Sequence, residues 1–137
     1  MALLIGIALA LAVALFIGRW ARFDRDRCFY PTVLIVVASV YELFAVMGGS
    51  VQALGLESAA AALFVAASVI GFRTSLWLVA VALAGHGVFD FFHARLIANP
   101  GVPVWWPTFC GSYDVAAGAY MAWLLLRPDG GAAKAAA

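Results

Sequence analysis

The chain has 137 residues, of which 66% are hydrophobic and only 11% charged, and its formal net charge is +1. With a mean hydropathy of +1.04 it lies far from the soluble balance of about half apolar and a quarter charged, so its charges are too few to coat a water-soluble globule. The near-neutral balance also supplies no basic surface for nucleic acid, and the composition implies a protein whose solvent is the lipid bilayer.

About 20 mainly apolar residues cross the hydrocarbon core as a helix, and five windows approach that length: residues 2–18, 30–47, 51–72, 75–96 and 107–126. The expectation is an all-α, polytopic membrane helix bundle with five transmembrane helices, forming one domain over residues 1–127 and followed by a disordered tail, 128–137. The first window carries no charge. No cation precedes it, whereas Arg19, Arg22, Arg25 and Arg27 follow it, the reverse of the charged leader of a signal peptide, so it reads as a retained span.

The connectors are short and rich in breakers: "RWARFDRDRCFYP", "GGS", "RTS" and "ANPGVPVWWP". Of the eight cations, Arg19, Arg22, Arg25, Arg27, Arg73, Arg127 and Lys134 fall on one side and Arg95 alone on the other. Positive charge marks the cytoplasmic side, which places the N-terminus outside and the C-terminus in the cytoplasm, as in a multi-pass protein of a bacterial inner membrane. Trp20, Tyr30 and Trp77 at the inner boundary, and Trp105 and Trp106 at the outer one, read as interfacial anchors. Pro103 and Pro107 restrict the backbone around the tryptophan pair, so this loop also reads as a rigid lid. Cys28 and Cys110 belong to opposite faces and read as free thiols.

Ionisable residues interrupt four of the windows. Counted inward from the outer boundary at about 1.5 Å per residue, Glu42 in the second window lies near 8 Å and Glu57 in the third near 6 Å. In the fourth, His93, Asp90 and His86 lie near about 3, 8 and 14 Å, and Asp114 in the fifth near about 10 Å. Spaced four and three apart, His86, Asp90 and His93 share an arc of roughly 60° on one helix face. The same helix carries Ala82, Ala84, Gly85 and Gly87, which let a neighbour approach closely.

Charges facing lipid would cost several kcal/mol each, so residues of four helices at one depth imply a shared pocket that opens toward the periplasm. Its expected binding residues are Glu42, His86, Asp90, His93, Asp114, Tyr113 and Tyr120, with the tyrosines as hydrogen-bond partners of the carboxylates and Ser39 one turn from Glu42. Cys110 shares the helix arc of Asp114. Glu57, nearest the boundary, reads as a solvated headgroup position.

Imidazole and carboxylate together suit a divalent metal such as Zn or Fe, and the candidate ligands are His86, Asp90, Glu42 and Asp114. His86 and His93 are about 10 Å apart along the axis and cannot share one ion. Without metal, the same groups exchange protons. The reading that follows is a pocket for a proton, metal ion or small cation, used in transport or sensing. An intramembrane enzyme acting on a lipid or isoprenoid is an alternative, and so is a non-catalytic accessory subunit. The expected partners are the lipid bilayer, a small ion or lipidic small molecule, and further copies of the chain, because five short helices leave little room for a private pathway.

Overall fold

The computed structural model describes residues 1–20 and 26–127, and of Gly18 and Arg19 only the backbone. Arg22, Arg25, Lys134 and the tail 128–137 lie outside the described residues. Within them the chain is all-helical, without strands: α1 (Ala2–Ala12) runs into a π-helical continuation (Val13–Trp20), followed by α2 (Phe29–Met47), α3 (Val51–Thr74), α4 (Leu76–Leu96) and α5 (Trp106–Leu126).

The breakers act where the backbone needs them. Gly49 turns the α2–α3 connection with φ 67°, a conformation that favours glycine. The next residue, Ser50, caps α3 by accepting a hydrogen bond from the Ala53 N–H at 3.1 Å. Pro107 sits in the first turn of α5, where its missing N–H costs nothing.

Consecutive helices from α2 to α5 pack against one another, α2 also touches α4, and α1 lies against the far side of α5. Small residues make the tightest of these seams. A Cβ on Gly87 would stand 2.5 Å from the Gly111 carbonyl oxygen, and one on Gly118 2.9 Å from that of Ala80, so α4 and α5 meet backbone to backbone. Gly85, one of the small residues expected in this seam, faces open space instead. Along α1 and its π-helical continuation, Gly6, Ala10 and Ala14 are buried at a spacing of four.

The bundle is apolar outside. Leu43, Leu63, Val81 and Val88 are all more than half exposed, while Glu57, His86, Asp90, His93 and Asp114 are each at most 2% exposed. Water would drive the opposite distribution. Three helices, α2, α3 and α4, are long and apolar enough to cross a membrane, and α1 with part of its continuation forms a shorter apolar stretch, Ala2–Ile17. The 21 residues of α5 carry the polar run "GSYD" in mid-course.

Two ends can be told apart. At one, Arg27 donates to the Phe72 carbonyl at 3.1 Å and the Arg127 guanidinium lies 3.4 Å from the Trp123 ring centre. At the other, Gly101 packs against the end of α2 at Phe44 and Gly48. Tyr30, expected as an anchor at the boundary, is instead 6% exposed and belongs to the core with Leu34, Leu76, Val79, Leu83 and Met121.

Candidate functional site

The site grows out of the core along one stripe of α4. Its buried positions are Leu76, Val79, Ala80, Leu83, His86, Gly87, Asp90 and His93, the three-and-four spacing of a single helix face. The first four are apolar and fill the half of the bundle near Arg27, and the last four occupy the half beneath the 97–105 loop. Because α5 approaches closely at Gly87 and Gly111, Asp114 on the next turn is brought directly onto this stripe.

His86, Asp90 and Asp114 form the inner cluster. The His86 Nδ1–H donates to Asp114 Oδ2 at 2.6 Å, and Nδ1 lies 3.8 Å from Asp90 Oδ2. The Cys110 thiol, one turn before Asp114 on α5, reaches the same Oδ2 at 3.8 Å. One ligand atom from each of His86, Asp90 and Asp114 lies within 4.8 Å of the others. Phe64 packs edge-on to the imidazole at 4.7 Å between ring centres, with Phe89 at 6.1 Å and Tyr41 at 6.4 Å, so apolar rings hold the histidine in place.

The polar groups of this cluster are not satisfied by one another. Asp90 Oδ1 and Oδ2, Asp114 Oδ1 and the Tyr41 hydroxyl are buried without a hydrogen-bond partner among the described residues. Tyr41 and Cys110 face Asp90, yet neither closes to a full hydrogen bond. A buried polar group left unpaired costs a few kcal/mol and a buried charge more. The inner cluster therefore has buried acceptor atoms in excess of the donors that close on them.

A second, outer pair is fully engaged. His93 Nε2 lies 2.8 Å from Glu57 Oε1, and the Asn99 amide donates to that same oxygen at 2.8 Å and to the Tyr41 carbonyl at 3.1 Å. The Tyr41 ring stacks on His93 at 4.1 Å with 20° between planes. Tyr41 thus touches both groups, its ring against the outer pair and its hydroxyl toward the inner cluster.

Several expected positions change. Glu57 is not a solvated headgroup residue: it is 2% exposed, because the Asn99 side chain and His93 both reach into the bundle to meet it. Glu42 does not join the cluster. The buried face of α2 runs through Leu34, Ala38, Tyr41 and Ala45, so Glu42, about 100° further round, points at α3 and accepts from the Ser58 hydroxyl at 2.6 Å. Ser39 donates to the Ile35 carbonyl and not to Glu42.

Tyr113 stands near Asp114 and Cys110, and Tyr120 lies two turns further along α5. Both lie off the buried face of α5, half-buried against the apolar core, and Tyr120 packs on Trp123 at 5.3 Å. Asn99 was legible only as a turn residue before Pro100, and nothing in its spacing signals a return to Glu57. Tyr41 adjoins Glu42 in sequence, but its inward direction depends on the α2 face that packing selects.

A cavity of about 370 Å³ opens between α1, α2 and α5, lined by Leu9, Val33, Val37, Trp106, Cys110 and Tyr113 among others. Cys110 belongs both to this cavity and to the inner cluster. Trp106 also lines the cavity, and its indole N–H is buried without a hydrogen-bond partner among the described residues. Cys28 and Cys110 are both free thiols, the first exposed and the second buried. Compared with protein-family models, with curated proteins and with solved structures, the chain matches none.

Proposed function

We propose that the chain is a multi-pass protein of a bacterial inner membrane, with five spans, its N-terminus outside and its C-terminus in the cytoplasm, that binds a cation for transport or sensing. The pocket is the inner cluster of His86, Asp90 and Asp114, in the half of the bundle that faces the periplasm. A single observation carries this reading: three carboxylate oxygens of Asp90 and Asp114 are buried without a partner. In a medium of low dielectric such groups are tolerated when a positive charge visits them, whether a proton, a metal ion or a small cation. The apolar exterior supports the membrane setting, and Arg27, Arg73 and Arg127 at one end support the orientation. Five short helices enclose no long private channel, which favours a homo-oligomer if the cation crosses. The test is cation-dependent uptake into proteoliposomes. Wild-type protein carries flux and Asp90→Asn abolishes it; equal flux from both would remove the proposal.

The apolar cavity favours a second reading, an intramembrane enzyme acting on a lipid or isoprenoid. It offers room for a hydrocarbon chain and Cys110 as a link to the acidic cluster. Conversion of lipid by wild-type protein but not by Asp114→Asn, without cation flux, would select it.

A further inference from the structure

We infer that His86 Nδ1, Asp90 and Asp114 together hold one divalent transition-metal ion, with the Cys110 thiol beside it. The inference rests on the cation-pocket reading and narrows it to one chemical class.

Charge argues first. With both aspartates ionised and the imidazole neutral the cluster carries −2, which one proton or one monovalent ion leaves at −1. A divalent ion brings the cluster to zero, the state that a low-dielectric interior favours. The orphaned oxygens argue independently. Asp90 is wholly buried and both of its oxygens lack a closed hydrogen bond among the described residues, as does Asp114 Oδ1; the Tyr41 hydroxyl and the Cys110 thiol face Asp90 without closing on it.

Distance is the third argument. Zinc-type ions bind nitrogen and oxygen at about 2.0–2.2 Å, which sets tetrahedral ligands about 3.4 Å apart. His86 Nδ1 lies 2.6 Å from one carboxylate and 3.8 Å from the other, values that bracket this spacing. Small side-chain rotations therefore open the hydrogen-bonded side and close the other. The histidine then carries its proton on Nε2, and the Nδ1 lone pair that faces the carboxylates becomes the ligand.

Ligand type selects the metal. Imidazole suits Zn²⁺, Fe²⁺ or Co²⁺, and the thiol of Cys110, 3.8 Å from Asp114 Oδ2, is a soft neighbour of the same preference. Mg²⁺ and Ca²⁺ want more oxygens, and Mg²⁺ keeps several waters, for which a pocket walled by Phe64, Phe89 and Tyr41 has little room. The outer pair offers no equivalent site, because His93 and Asn99 already occupy Glu57 Oε1.

The test uses the full chain purified in detergent, stripped with a chelator and titrated with Zn²⁺ or Co²⁺. The expected result is one ion per chain by elemental analysis, together with visible d–d absorption of the Co²⁺ form. Asp90→Asn and His86→Gln each lower affinity by roughly 100-fold or more, whereas Glu42→Gln, outside the cluster, does not. Circular dichroism verifies that each variant retains its helices. Substoichiometric ion in the wild type, wild-type affinity in Asp90→Asn, or displacement of Zn²⁺ by equimolar Mg²⁺ would each overturn the inference. Its failure is separable from failure of the broader reading: Asp90-dependent proton flux with no retained ion leaves the cation pocket standing and removes the metal. One tightly held ion without flux keeps the metal site and removes transport from the broader reading.

Discussion

Two buried histidines on one helix show how neighbouring residues of the same type take different parts. His93 has a full complement of neighbours, with Glu57 at 2.8 Å and the Tyr41 ring stacked on it, and its partner carboxylate is further held by Asn99. Removing one member of such a buried pair leaves the other uncompensated, at a cost of about 3–5 kcal/mol. His93→Leu is therefore expected to lower stability by about that amount in denaturant unfolding of the detergent-solubilised protein. Asp90 is the opposite case, since both its oxygens lack partners and its charge is unsupported by hydrogen bonds. Asp90→Asn is expected to leave the unfolding midpoint unchanged or raised while abolishing the function of the inner cluster. This pairing of stability with loss of function marks a residue kept for its chemistry. A large destabilisation by Asp90→Asn, matching that of His93→Leu, would mean instead that both are structural.

At the scale of helices, the site depends on how closely α4 and α5 approach. Gly87 and Gly111 face each other so tightly that a Cβ on Gly111 would stand 2.7 Å from the Gly87 carbonyl oxygen and 3.1 Å from the Asp90 Cβ. Only glycine permits that spacing, and the spacing is what lets Asp114 reach His86 across the seam. Gly111→Val forces the backbones apart, and overpacking of this kind typically costs about 1–3 kcal/mol. The expected outcome is a lower thermal midpoint together with weakened ion binding, although residue 111 supplies no ligand. Gly85→Val on the same helix has open space around it and is expected to change neither. The comparison separates the seam from a general intolerance of α4 to bulk.

At the scale of the whole molecule, polarity is inverted relative to a soluble protein, with branched apolar side chains outside and, among the described residues, five Asp, Glu and His side chains sealed within. The proposed orientation across a bilayer rests on the distribution of arginines between the two ends. Cys28 tests it directly, because it is an exposed free thiol at the arginine-bearing end, whereas Cys110 is buried. A membrane-impermeant maleimide is expected to label Cys28 in inside-out vesicles and not in intact spheroplasts. Labelling from the periplasmic side would reverse the orientation and place the inner cluster toward the cytoplasm.

Helix type and boundaries were legible in the chain because apolar composition and backbone breakers are local properties: the expected windows and the observed helices differ by at most two residues at either end from α2 onward. The stripe of His86, Asp90 and His93 was legible too, since it follows from helical periodicity alone. Which carboxylate meets which histidine was not. Depth along a helix can be counted in a sequence, but rotation about the axis relative to a neighbour cannot, and rotation is what turned Glu42 toward Ser58 and Tyr41 toward His93. Glu57 and Asn99 meet through a connector whose path depends on the packing of Gly101 against α2. Sequence by itself determined the helical, bilayer-suited character of this protein and the titratable face of α4, because both arise within single segments. Tertiary structure alone decided that Asp114 completes that face and that Glu57 pairs with its outer end, because such pairings depend on contacts between segments distant in the chain.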